Sequence, residues 1–130
     1  MVVVVLAATL TACGGDDPSG GAADRTVDIE ARYSRFTPGD IAVTLGTTVQ
    51  FEVRNEDPID HEFIVGDDAV QARHETGTEP HHGAVPGEVS VPAGTTAATT
   101  YRFDQRGTFV FACHLPGHFA YGMRGVVRVT

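Results

Sequence analysis

Near the C-terminal end the chain reads Phe111-Ala112-Cys113-His114-Leu115-Pro116-Gly117-His118-Phe119-Ala120-Tyr121-Gly122-Met123, a Cys-x4-His-x4-Met spacing that follows a run of β-branched and aromatic residues. One short loop thus offers a thiolate, an imidazole and a thioether. Soft sulfur favours Cu(I) while imidazole also suits Cu(II), so two imidazoles and a thiolate with a weak axial methionine hold either oxidation state with little rearrangement. Such a set suits single-electron transfer by one copper ion. Zinc also accepts one thiolate and two imidazoles, but the methionine points to copper. The second imidazole must come from elsewhere, and His61 is the leading candidate. It opens a strand in Asp60-His61-Glu62-Phe63, after the loop Asn55 to Asp60. The only other cysteine is Cys13, so Cys113 has no evident disulfide partner.

Short strands must position these groups. Val27, Ile29 and Ala31 share one parity, as do Val49, Phe51 and Val53, which is the pattern of strands with one buried face. Further runs span Ile41 to Leu45, His61 to Val65, Val89 to Val91, Thr95 to Phe103, Thr108 to Cys113 and Gly125 to Thr130. Turn signals separate them, among them Thr37-Pro38-Gly39-Asp40, Pro86-Gly87 and Pro92-Ala93-Gly94. About eight strands without a helical period predict an all-β, Greek-key sandwich of two sheets. Phe109, Phe111 and Cys113 alternate on one face, as do His61, Phe63 and Val65, which aims the thiol and the imidazole inward at one pole.

The residues from about Thr26 onward resemble the cupredoxin family, in particular exported bacterial single-domain members. The resemblance rests on the His61-Glu62-Phe63 segment and the Cys-His-x-Pro-Gly-His-x-x-x-Gly-Met loop, and is closest over Thr95 to Thr130. It implies a mononuclear type 1 copper site with His61, Cys113 and His118 equatorial and Met123 axial. Such proteins commonly carry an asparagine after the first histidine ligand, braced against the cysteine loop; Glu62 stands there here.

Other residues bear on the surroundings. His114 follows Cys113 and is expected to project away from the metal. Leu115, Pro116, Phe119 and Tyr121 flank the site with apolar surface on which a redox protein can dock. The stretch from Gly66 to Glu88 is read as a 23-residue loop holding His74, His81 and His82. With Glu75 and Glu79 these histidines offer a second copper site.

Residues 1–13 read as an export signal. Val2 to Ala12 is a small and apolar run, too short for the roughly 20 residues of a membrane-spanning helix. It ends in Leu10-Thr11-Ala12-Cys13, which resembles a bacterial lipobox, so Cys13 is the expected lipidation site. No charge precedes it, although a signal normally opens with one. Residues 14–24, made up of Gly, Asp, Pro, Ser and Ala, read as a flexible tether to a domain spanning 25–130. The expected location is the cell envelope, on the membrane through the lipid alone.

The 130-residue chain carries nine basic residues, all arginine, against 17 acidic ones, for a formal charge of -8. No basic stripe is available to neutralise phosphates, which argues against nucleic acid. No Ser-His-Asp logic, phosphate-binding glycine loop or His-x-His pairing is visible, so an enzyme is not expected. The reading is a monomeric carrier of single electrons between envelope redox partners. The alternative is an envelope copper-handling protein, with extra copper on the histidine-containing stretch.

Overall fold

The computed structural model describes residues 22–77, 82 and 85–130. Cys13, most of the tether, Glu79 and His81 lie outside them. Among the described residues nine strands form two sheets: β1 (Arg25–Arg32), β2 (Arg35–Thr37), β3 (Asp40–Val43), β4 (Thr48–Asn55), β5 (His61–Gly66), β6 (Glu88–Val91), β7 (Thr96–Arg102), β8 (Gly107–Ala112) and β9 (Arg124–Val129). One sheet runs β2-β1-β4-β7 and the other β3-β9-β8-β5-β6. The β1–β4 and β3–β9 pairs are parallel, and both come from crossovers between the sheets. The sandwich is therefore as expected, with β2 added. Three residues are too few to show a period in sequence.

The alternating residues face inward. Val27, Ile29 and Ala31 of β1 and Val49, Phe51 and Val53 of β4 are buried. They meet Phe63, Phe103 and Phe111, all with no exposed surface. The rings of Phe63 and Phe111 stack at 5.2 Å, and Phe36 meets Phe63 edge-on at 5.5 Å. Each such side chain contributes about 1.5–3 kcal/mol by leaving water. This aromatic cluster sits beneath the pole where β5 begins and β8 ends.

The connection after β5 is not a structureless loop, because it contains α1 (Asp68–Thr76). Asp67 caps it, accepting the Val70 N–H at 2.9 Å. The helix escapes a periodicity search because only Gln71 among its residues is buried. That side chain reaches the sheet, its amide donating to Ile64 O at 3.3 Å and Val110 O at 2.9 Å. Gly66 permits the approach, since a Cβ there would lie 2.7 Å from that of Val70. All of β5 is consequently buried, on both faces. Parity therefore selects which face His61 takes, but not whether Glu62 sees water.

Candidate metal centre

β8 ends at Ala112, and Cys113 begins the loop to β9. The loop is folded back on itself. The Cys113 N–H donates to Met123 O at 3.1 Å, and the Met123 N–H to His118 O at 2.9 Å. The ends are held together just where β8 and β9 separate. Gly122 takes φ 91°, which a side chain would resist, and turns the chain to deliver Met123. Met123 is fully buried.

Three donor atoms converge at this pole. Cys113 Sγ lies 3.2 Å from His118 Nδ1, which lies 3.2 Å from His61 Nδ1. Atoms bound about 2.0–2.3 Å from one trigonal metal stand about 3.5–3.7 Å apart. These two separations need only widen by about a few tenths of an ångström to hold an ion, and all three donor atoms lie within 4.8 Å of one another. His61 and Cys113 are buried, while His118 is partly exposed. Thiolate and imidazole are donors that copper takes in both oxidation states.

The protonation pattern suits a ligand set. Burial and the neighbouring His61 hold the His118 imidazole below its usual range, so its neutral form is favoured. Burial pushes the Cys113 thiol up to about 11, against the Glu62 and Leu115 N–H groups, which favour the thiolate. The thiol proton is then the one a metal must displace. Glu62 N–H approaches Sγ at 3.4 Å.

Residues not singled out in the sequence orient the ligands. His61 Nε2 lies 2.8 Å from Asp57 Oδ2. Burial opposes charge on Asp57, but hydrogen bonds from Ser34 N–H, His61 and Tyr33 N–H outweigh it and lower its pKa. An ionised carboxylate accepts, so Nε2 carries the proton and Nδ1 keeps its lone pair for the site. Asn55 completes the loop, accepting the Asp57 N–H at 2.9 Å and donating to Ile59 O and Val91 O. The available signal was a carboxylate four residues before a candidate ligand, in a short loop.

Glu62 takes the bracing position. Its Oε1 accepts the His114 N–H at 2.8 Å, tying β5 to the residue after Cys113. The ring of His114 turns to α1, with Nδ1 2.8 Å from Glu75 Oε2 and Nε2 2.7 Å from Gln71 Oε1. Phe119 stacks on that ring at 4.9 Å, with the Arg124 guanidinium 5.0 Å from its own centre. Leu115 packs against the core. Pro116 and Tyr121 are exposed, Tyr121 at 77%.

Of the second histidine group, His74 and His82 come together and Glu88 joins them. Glu75 instead faces His114.

The chain is similar to known proteins in sequence and in fold. The copper-resistant cuproprotein CopI of Rubrivivax gelatinosus is 40% identical over 111 residues, spanning 82% of this chain and 67% of its own length. CopI of Pseudomonas aeruginosa is 30% identical over 139 residues, spanning 82% and 77%. Auracyanin B has the same fold, with a TM-score of 0.71 at 23% identity over 90% of this chain and 96% of its own. The auracyanin of the photosynthetic bacterium Roseiflexus castenholzii gives 0.66 at 22% identity over 85% and 99%. Residues 23–130 match the copper binding proteins of the plastocyanin/azurin type, and the chain belongs to that family.

Proposed function

We propose that His61, Cys113, His118 and Met123 hold one copper ion and that the protein passes single electrons between redox partners of the cell envelope. The observation that carries this reading is the convergence of Cys113 Sγ and two imidazole Nδ1 atoms within successive 3.2 Å steps. Bound copper supplies a Cu(I)/Cu(II) couple. The protein's part is to keep the donors still and dry. His61 is fixed by Asp57, Cys113 by Glu62 and the β8–β9 closure, and Met123 by its backbone bonds to both ends of the loop. His118 is the one of the four with partial exposure, so its ring edge is the exit toward a partner. The acidic chain, at -8, favours a basic or weakly charged partner surface. Export, lipidation at Cys13 and a monomeric state belong to the same reading.

Copper handling is the second reading, favoured by a specific finding. The relatives from R. gelatinosus and P. aeruginosa are named copper-resistant cuproproteins. Sequestration and electron transfer use the same four residues, and they differ in stoichiometry and in exchange rate. Optical and paramagnetic-resonance spectra of the Cu(II)-loaded protein test the centre itself. Strong visible thiolate-to-copper absorption is expected, and its absence with stoichiometric copper would overturn both readings. Fast self-exchange then selects the carrier, and copper-dependent survival of cells without it selects the handler.

A further inference from the structure

We infer that His74, His82 and Glu88 form a second metal site, for a borderline divalent cation with Cu(II) preferred, adjoining the Cys113 centre through Glu62. The inference deepens the copper-handling reading by naming the residues and the donor set.

The three side chains come from three separate segments. His74 lies on α1 and Glu88 opens β6, the edge strand of its sheet. His82 is tied to that edge, its N–H donating to Ser90 Oγ at 2.7 Å and its carbonyl accepting the Ser90 N–H at 3.1 Å. Their side chains are nearly enclosed, with exposures of 7%, 4% and 10%. Glu88 Oε2 is 3.3 Å from His74 Nε2 and 3.3 Å from His82 Nδ1. Donors bound about 2.0 Å from one ion stand about 2.8 Å apart at the right angles of tetragonal Cu(II) and about 3.3 Å apart in a tetrahedron, so the two 3.3 Å separations lie within about half an ångström of either.

Each donor is also set from behind. His74 Nδ1 lies 2.9 Å from Val70 O, which can only accept, so that nitrogen carries a proton and Nε2 is the one turned to Glu88. His82 Nε2 lies 3.1 Å from Glu62 Oε2, the carboxylate–histidine pairing that orients metal-binding imidazoles, and Nδ1 is turned to Glu88. Arg73 holds the other oxygen of Glu88 at 3.1 Å, which leaves Oε2 to the imidazoles. Three ligand atoms thus face one another, and a metal ion would take the place of any proton held between Glu88 and the imidazoles. Two imidazoles and a carboxylate without sulfur form a borderline set, for which Cu(II) leads the divalent first-row ions.

Glu62 joins the sites. Its Oε2 receives His82, its Oε1 the His114 N–H, and its own N–H approaches Cys113 Sγ. An ion on His82 alters the charge that Glu62 feels, and the backbone N–H of Glu62 is the group that approaches Cys113 Sγ. The second site therefore reports on the first.

The test is titration of Cu(II) into the purified full chain, followed by paramagnetic resonance and optical spectra. The expected result is a first equivalent with thiolate absorption and a second with nitrogen couplings and no new thiolate band, the latter shifting the first band. His74→Gln and Glu88→Gln should each weaken the second equivalent by about 10–100-fold and leave the first. Cys113→Ser should lose the first and keep the second. Should a variant not fold, the wild-type protein suffices, because the second equivalent must broaden the amide resonances of His74, His82 and Glu88. A stoichiometry of one, with His82 serving as a cation between Glu62 and Glu88, overturns the inference. So does a second ion unaffected by both variants, or broadening elsewhere. Loss of thiolate absorption at the first equivalent would instead strike the proposed centre and leave this site standing.

Discussion

Asp57 and His61 are joined by a 2.8 Å bond between a carboxylate oxygen and Nε2, and this bond turns His61 Nδ1 toward Cys113 and His118. The carboxylate is in turn held by the N–H groups of Tyr33 and Ser34, at 2.7 and 2.8 Å, from the β1–β2 turn of the opposite sheet. A hairpin turn thereby reaches the metal centre through one side chain.

Removing that charge is the first prediction. In Asp57→Asn the carboxamide no longer dictates which His61 nitrogen is protonated, and the ring gains freedom. Copper affinity should fall about 10–100-fold, measured by competition with a chelator of known strength. An unchanged affinity would mean that packing alone orients the ring.

The turn itself carries strain. Tyr33 and Ser34 occupy φ 53° and 52°, a left-handed pair that hairpins ordinarily give to Asn-Gly. Their N–H bonds to Asp57 compensate. Replacing them with Tyr33→Asn and Ser34→Gly together keeps both N–H donors and relieves the strain. Thermal or denaturant unfolding should show a gain of about 1–2 kcal/mol; a loss would show that the Tyr33 side chain contributes more than its backbone costs.

The thiol governs the alkaline limit of the metal-free protein. Cys113 keeps its proton to about 11 when folded and loses it from an ordinary 9.0 when unfolded. Between these values the unfolded state binds fewer protons, so its contribution is intact below 9 and is lost as pH rises through 11. The metal-free protein should weaken by about 2–3 kcal/mol across that window. Urea unfolding of wild type against Cys113→Ala checks it, since the variant should lack this slope.

Glu62 braces through charge as well as shape. Glu62→Gln retains an acceptor for the His114 N–H, whereas Glu62→Ala leaves that partly buried donor unmade at a cost of about 1–3 kcal/mol. Stability should order wild type and Gln above Ala. Both variants should shift the thiolate-to-copper band, because a charge beside Sγ is gone. Identical spectra in all three would remove Glu62 from any role in tuning.

Docking separates two aromatic neighbours of His118. Phe119 is engaged with His114 and Arg124, while Tyr121 is largely exposed. Tyr121→Ala should slow electron exchange with a partner and leave the copper spectrum alone, and Phe119→Ala should alter both. Stopped-flow exchange beside optical spectra distinguishes them, and an unaffected rate in Tyr121→Ala would place docking elsewhere.

The sequence by itself determined the strand pattern and the spacing of the candidate donors. Period-two burial in β1 and β4, turn residues, and the spacing of Cys113, His118 and Met123 are local properties, written in consecutive residues. His61 was legible because it opens a strand whose other members must face the core. The helix α1 was not, since its only buried residue is a glutamine, whose partners are backbone carbonyls of β5 and β8 and the ring of His114. Only the tertiary structure decided what holds the donors. Asp57 meets Ser34 across 23 residues, and Glu62 meets His114 across 52. Likewise His74, His82 and Glu88 meet only once α1 has docked beside the edge of a sheet. Polar contacts of this kind leave no periodic trace, because each depends on the register of strands distant in the chain and on a burial that the surrounding packing creates.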